Sequence, residues 1–275
     1  MEPGETLTSL AYQVNAGGKG LNQSIALSRA GIKTFHAGMI GKEGSFLKEI
    51  LTDANVNTQH LLTGELPTGH AIIQVEKNSG QNSILLYPGA NMAIDTSEML
   101  RILSSFPAGN WLLLQNEIND IPFLIKAAKT CGLKVAINPA PCTKAVKFYP
   151  LHLCDLIIVN EVEASQLTDL PDPEEAAEML VKLFPESEIV ITLGKAGALY
   201  RFKNEKIFVP AHPVTAVDTT SAGDTFTGYF LAAKLRNMNA ATAMKCAAFA
   251  SSITVTRPGA AQSIPGADEV FPFMQ

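Results

Sequence analysis

From about residue 110 onward, short runs of β-branched and leucine residues alternate with stretches whose apolar positions recur at helical spacing. Continuous apolar runs bounded by turn residues mark strands buried on both faces of a parallel sheet, and the amphipathic stretches between them are the crossover helices. Leu112–Leu114, Val135–Ile137, Leu156–Val159 and Ile189–Ile191 are the expected strands. Pro122 falls where the first turn of a helix tolerates it and Gly132 closes that helix. Asp172, followed three residues later by Glu175, predicts a capping box at the start of the next helix, which runs toward Lys182. Tyr200–Phe202 and Ile207–Val209 flank Lys203-Asn204-Glu205 as a hairpin, and helices are expected from about Ala222 to Arg236 and from about Ala240 to Val255. Alternation over this length predicts an α/β fold with a doubly wound sheet.

The first third has a different rhythm. Thr68–Val75 and Asn82–Tyr87 are strand-like runs joined by turn-forming Lys77-Asn78-Ser79-Gly80, which predicts a hairpin. Thr6–Val14 is a third β-rich run outside the alternation, so a small antiparallel flap is expected, with lid strands from about 6–14 and 68–87. Neither a tandem repeat nor a low-complexity linker divides the chain, which predicts one domain over residues 1–275.

Composition narrows the function classes. Of the 275 residues 47% are hydrophobic and 17% charged, which excludes a disordered chain. The formal net charge of −5 argues against a nucleic-acid or anionic-membrane partner, because both select clustered positive charge. Cys131, Cys142, Cys154 and Cys246 form no CxxC pair and lack zinc-site spacing, as expected of small buried hydrophobes in a reducing compartment. The start, Met1-Glu2-Pro3-Gly4-Glu5, has neither the basic nor the apolar part of a secretory signal, and no run reaches the roughly 20 apolar residues of a membrane span. The expected location is the cytoplasm.

Two segments carry candidate chemistry. Asp218-Thr219-Thr220-Ser221-Ala222-Gly223-Asp224 runs into a helix whose apolar Ala222, Phe226, Phe230 and Ala233 share a face. Such a turn offers unpaired N–H groups and the positive end of the helix dipole to an anion. Asp224 could take the proton of an attacking hydroxyl while the N–H groups of Ala222, Gly223 and Asp224 hold a phosphoryl. A capping box, with Ser221 as cap and Asp224 three residues on, accounts for the same residues without chemistry. In Asn15-Ala16-Gly17-Gly18-Lys19-Gly20-Leu21-Asn22, consecutive glycines allow close backbone approach, and Lys19 and Asn22 offer donors to a hydroxyl-rich or anionic ligand. A tight connection into a helix explains the glycines equally well. No GxxxxGK[ST] stretch occurs, and Gln23 occupies the place of the third glycine of a dinucleotide fingerprint.

Taken together, the two segments resemble the two signatures of the ribokinase/PfkB family of sugar kinases: Gly17-Gly18-Lys19-Gly20-x-Asn22 the first, Asp218 to Asp224 the second. Asn138-Pro139-Ala140-Pro141, Asn160-x-x-Glu163, Thr192-Leu193-Gly194 and Thr256-Arg257-Pro258-Gly259-Ala260 agree in order and context, so the likeness covers essentially residues 3 to 270. It implies a ribokinase-like three-layer α/β sandwich and transfer of the γ-phosphate of ATP to the primary hydroxyl of a small sugar, by nearest resemblance ribose. Asp224 would be the base, with Ala222 and Gly223 in the anion hole, and Gly17, Gly18, Lys19, Asn22 and Glu117 would contact the sugar. Asn160 and Glu163 would hold Mg2+ through water and Thr192 and Gly194 would face ATP, although Asn160 and Glu163 also read as a helix cap and its first-turn acid. A monovalent cation, usually K+, would be bound by Asp218, Thr220, Thr254, Arg257, Gly259 and Ser263; a loop charge-balanced by Arg257 is the plain alternative. Family members often pair as homodimers through the flap.

The chain departs from the family at its start. The opening strand, with an Asp at its end that bonds sugar hydroxyls, normally precedes the stretch found here at Pro3–Thr6, and only two residues stand before it. Loss of that strand would cost sheet hydrogen bonds and sugar affinity while sparing the nucleotide positions. Leu47 and Ser221 stand where relatives carry smaller residues. The rival expectations are therefore a non-catalytic sugar- or nucleotide-binding protein, a kinase for another sugar or a nucleoside, and, disfavoured by the absent fingerprint, a nicotinamide-dependent enzyme.

Overall fold

The computed structural model describes residues 8–12, 14–75 and 82–274. In chain order it contains α1 (Lys19–Arg29), β1 (Phe35–Ile40), α2 (Ser45–Asp53), β2 (Asn57–Thr63), β3 (His70–Val75), β4 (Asn82–Tyr87), α3 (Thr96–Ser104), β5 (Trp111–Gln115), α4 (Ile121–Thr130), β6 (Lys134–Asn138), β7 (Leu156–Asn160) and α5 (Glu161–Thr168). There follow α6 (Pro173–Leu183), β8 (Glu188–Thr192), β9 (Gly197–Phe202), β10 (Glu205–Pro210), α7 (Ala222–Leu235), α8 (Ala240–Val255) and α9 (Ala267–Val270).

The main sheet runs β10-β9-β8-β7-β6-β5, parallel from β5 to β8 and antiparallel at β8–β9 and β9–β10. Alternate side chains of its strands build two cores. Ala136, Leu156, Ile158, Val190 and Tyr200 pack with α1, α7 and α8. Val135, Ile137, Ile157, Val159 and Ile191 pack on the other face with α3, α4, α5 and α6. Helices on both faces make the strands apolar throughout, which is why the sheet could be read from uninterrupted runs. Pro122 lies in the first turn of α4 as predicted, and at α6 half of the expected capping box forms. Asp172 Oδ1 accepts from the N–H groups of Glu174 and Glu175 at 3.0 Å each, without a return bond from the Asp172 N–H to the Glu175 side chain among the described residues. Cys154 and Cys246 are buried, Cys131 and Cys142 half-buried.

Two parts of the first third differ from expectation. β3 and β4 pair antiparallel as predicted, with Ile72 opposite Leu85, but their joining residues 77–80 lie outside the described ones. The third flap strand over 6–14 does not form in its described residues: 8–12 and 14 run irregularly, with Leu10, Tyr12 and Val14 exposed. Strand propensity stabilises mainly through cross-strand neighbours, and among the described residues none pairs with this run. β1 and β2, not anticipated from the sequence, form a separate parallel pair. Among the described residues no strand pairs with β1 on the side away from β2, or with β5 on the side away from β6. A cleft of about 3170 Å3 extends from beneath the hairpin, past the Gly17–Asn22 turn, to the facing residues of β1 and β5. No helix among the described residues is long and apolar enough to cross a membrane.

Candidate active site

Helix α1 begins at the glycine turn because Gly18, at φ 97°, reverses the chain in a left-handed conformation that a side chain would strain. That turn brings the Lys19 N–H to Glu117 Oε2 at 2.8 Å, just beyond the carboxyl end of β5. One turn into α1, Asn22 and Gln23 are both buried and both reach α7. Asn22 Nδ2 donates to Asp224 Oδ2 and Gln23 Nε2 to Asp224 Oδ1, each at 2.9 Å. The two conspicuous segments, about 200 residues apart, thus meet at one carboxylate. Asn22 Oδ1 is buried with no hydrogen-bond partner and borders the cleft, an acceptor suited to a ligand hydroxyl.

The start of α7 tests the capping-box reading of the Asp218–Asp224 segment. Ser221 sits in the left-handed region at φ 59° and makes no capping bond. Its Oγ instead donates to the Ala260 carbonyl at 3.0 Å, so the capping box is not formed. Ala222 N–H is turned back to the Thr219 carbonyl at 3.3 Å, whereas the N–H groups of Gly223 and Asp224 have no backbone partner among the described residues. A Cβ on Gly223 would meet nothing within 4 Å, so the helix end opens onto free space. An anion cradle here therefore comes from Gly223 and Asp224, with Ala222 framing it.

Burial raises the pKa of Asp224; the Lys19 charge and the Asn22 and Gln23 hydrogen bonds oppose the shift. Burial also raises Glu117 and Glu163, and the Lys19 charge opposes it at both. A buried carboxylate pushed toward neutrality is a stronger proton acceptor than an exposed one.

At the carboxyl ends of β7 and β8 the plain reading holds for one pair. Asn160 and Glu163 form a reciprocal capping box on α5, Glu163 N–H to Asn160 Oδ1 at 2.8 Å and Asn160 N–H to Glu163 Oε2 at 3.0 Å. No cluster of three or more acidic, His or Cys side chains able to hold a metal occurs among the described residues. The one buried carboxylate of this box suits magnesium held through water and ligand oxygens rather than in an all-protein cage. Thr192 ends β8 and Gly194 follows at φ 52°, where a Cβ would again stand in open space.

Of the six expected cation ligands, Asp218, Thr220 and Gly259 are joined by hydrogen bonds in the loops before α7 and after α8, whereas Thr254 lies within α8 and Ser263 follows Gly259 by four residues. Asp218 accepts from Thr220 N–H and Gly259 N–H at 2.9 Å each, and Ser263 Oγ donates to Ala260 O at 2.7 Å. Thr254 Oγ1 lies 3.0 Å from Thr225 Oγ1. Arg257 does not balance the charge of this loop; its guanidinium pairs with Glu269.

A profile described as "pfkB family carbohydrate kinase" matches residues 2–267. The chain belongs to the pfkB family of carbohydrate kinases. This pfkB chain is 35% identical over 283 residues to the ribokinase of Haemophilus influenzae, covering 100% of this chain and 92% of that protein. It is 31% identical over 278 residues to the deoxyribokinase of Salmonella typhi, covering 97% and 90%. The fold is similar to that of Arabidopsis thaliana ribokinase complexed with ribose and ATP, with a TM-score of 0.88 at 30% identity over 99% of this chain and 91% of that one. The pfkB resemblance and the ribokinase-like α/β architecture expected from the motifs therefore stand. Missing from the sequence reading of this pfkB site were Gln23 as a partner of Asp224 and Gln115 as a partner of Gln23. The available signal was a polar pair, Asn22-Gln23, set between the buried Leu21 and Ile25 of α1.

Proposed function

We propose that this chain is a single kinase domain that transfers the γ-phosphoryl group of ATP to the primary hydroxyl of ribose. The observation that carries the reading is the buried Asp224 carboxylate, gripped by α1 beside two N–H groups without a backbone partner among the described residues, at the start of a 14-residue helix. Asp224 accepts the proton of the sugar hydroxyl as that oxygen bonds to phosphorus and the bond to the ADP oxygen breaks. The Gly223 and Asp224 amides, at the positive end of α7, stabilise charge on the phosphoryl oxygens in flight. Asn22 Oδ1 and Glu117 accept sugar hydroxyls, while Gly17 and Gly18 let the ring lie against the backbone and Lys19 lends positive charge. Thr192 and Gly194 line the nucleotide side. Magnesium, held through water near Asn160 and Glu163, supplies neutralisation of the phosphate oxygens when bound. The loop of Asp218, Thr220, Thr254, Arg257, Gly259 and Ser263 takes a potassium ion that steadies the cradle.

The same reading carries a cytoplasmic location, where ATP is plentiful, and a homodimer built through the β3–β4 hairpin. Ile72, Ile73, Leu85 and Leu86 expose between 51% and 67% of their surface there, an apolar area that water disfavours.

Asp224→Asn tests the mechanism. Turnover with ribose should fall by at least about a thousandfold while ATP binding and melting temperature stay near those of the parent. Exchange of potassium for choline should lower parent turnover. Retained turnover in Asp224→Asn would remove Asp224 from the chemistry. Comparing ribose with 2-deoxyribose separates the two sugars named among the relatives; faster turnover of 2-deoxyribose would overturn ribose as the acceptor.

A further inference from the structure

A glutamine with no exposed surface, placed on a helix face otherwise made by Leu21, Ile25 and Ala26, needs an explanation, because a buried amide is costly unless its groups are satisfied. Gln23 has three partners drawn from three other elements. Its Nε2 donates to Asp224 Oδ1 at 2.9 Å and to Asn138 Oδ1 at 3.2 Å, and its Oε1 accepts from Gln115 Nε2 at 2.7 Å. We propose that Gln23, oriented by Gln115 and Asn138 at the ends of β5 and β6, is the positioning residue that holds the Asp224 carboxylate in register for the incoming hydroxyl. The inference rests on Asp224 being the base.

The amide orientation follows from donor and acceptor chemistry alone. A main-chain carbonyl can only accept, so the Ile158 oxygen takes Asn138 Nδ2, at 2.9 Å, and Asn138 Oδ1 is left facing Gln23. An ionised carboxylate also only accepts. Both neighbours therefore require the Gln23 NH2 group, which turns its carbonyl toward Gln115 and in turn demands the NH2 of Gln115. Orientation is thus transmitted from the backbone of β7 through two amides to the reacting carboxylate. Gly20 makes room for this arrangement, since a Cβ there would stand 3.1 Å from Gln115 Oε1. Asn22 holds the other carboxylate oxygen, so Asp224 is pinned at both ends.

Gln115→Glu is the sharpest test, because it preserves shape and touches neither Asp224 nor its bond to Asn22. A carboxylate at 115 accepts from Gln23 Nε2 and turns the Gln23 carbonyl toward Asp224. With ribose and ATP, kcat should fall about tenfold or more, the range of a lost hydrogen bond to a charged group, while both KM values stay within about twofold. Gln23→Leu should lose a similar factor. The double variant should be no slower than Gln23→Leu alone, since both changes remove one interaction. Should Gln23→Leu fail to fold, Gln115→Glu, at a half-buried position, decides by itself. A kcat within twofold of the parent in Gln115→Glu, losses that multiply in the double variant, or changes confined to KM would each overturn the proposal. An inactive Asp224→Asn alongside a normal Gln115→Glu sinks the positioning role alone, whereas an active Asp224→Asn sinks the base and this role with it.

Discussion

Replacing Gly228 by alanine sets helix propensity against packing. In an isolated helix the change would stabilise by about 1 kcal/mol. Here Gly228 lies in the middle of α7 facing α1, and a Cβ would stand 2.4 Å from Ala26 Cβ, 3.1 Å from Leu27 N and 3.2 Å from the Ala26 carbonyl carbon. Two of these atoms are backbone and the third is a methyl fixed to it, so no rotamer change relieves the clash. Restoring ordinary contact of 3.4 Å or more requires the helices to part by about 1 Å. Overpacking costs about 1–3 kcal/mol, which leaves a net loss of about 0–2 kcal/mol after the propensity gain and a melting temperature lower by up to about 8 °C. The functional effect is larger. Gly228 is one helical turn from Asp224, and the Asn22 and Gln23 bonds to that carboxylate, both 2.9 Å, cross the same interface. A 1 Å separation takes them beyond hydrogen-bonding distance, and misplacement of this size costs about a hundredfold in kcat. Thermal denaturation and coupled ADP release measure the two effects. A Gly228→Ala protein that melts no lower than the parent and turns over within twofold of it would refute the reasoning.

Glu117→Gln should raise the KM for sugar about tenfold with a smaller change in kcat, measured by steady-state kinetics. Burial holds the Glu117 pKa above its usual value, so the folded protein keeps this proton to higher pH than the unfolded chain does. The stability contributed is full below the usual carboxylate range and lost as pH rises through the raised value. Urea unfolding should therefore show the variant gaining on the parent at about pH 8 and not at about pH 4. Leu85→Lys places a charge on the exposed hairpin face and should convert a dimer to monomer by sedimentation equilibrium with little change in kcat; a parent protein already monomeric at tens of micromolar would refute the flap interface.

Much of the scaffold could be read because its strands are apolar on both faces. Each predicted run from Leu112 to Ile191 lies inside an observed strand, and α7 and α8 fall within a residue of their expected ends. β1 escaped because Phe-His-Ala-Gly-Met-Ile lines a cleft and neither alternates nor runs apolar. Thr6–Val14 misled for the opposite reason: its described residues, 8–12 and 14, carry strand-forming side chains but pair with no described strand. Local motifs located Asp224 and Asn22, and the family resemblance added Glu117, Asn160 and Glu163. Of the alternatives left open, the turn at Ser221 and its bond to Ala260 closed off the capping box at Asp224, and the Asn160–Glu163 box was realised. The amides around Asp224 could not be found locally, since Gln23 lies 201 residues from Asp224 and 92 from Gln115.

The division between the β1–β2 pair and the main sheet grades the molecule's resistance to local opening. β7 is clamped by β6 and β8 and sheathed by helices, so freeing its amide hydrogens approaches the cost of global unfolding. On β5 the peptide groups turned from β6 have no neighbouring strand among the described residues, which leaves every second amide more open to exchange with solvent than its locked neighbours. Gln115, which bonds Gln23, ends that half-guarded strand, so the hydrogen bonds that hold the Asp224 carboxylate reach back to the least insulated margin of an otherwise rigid sheet.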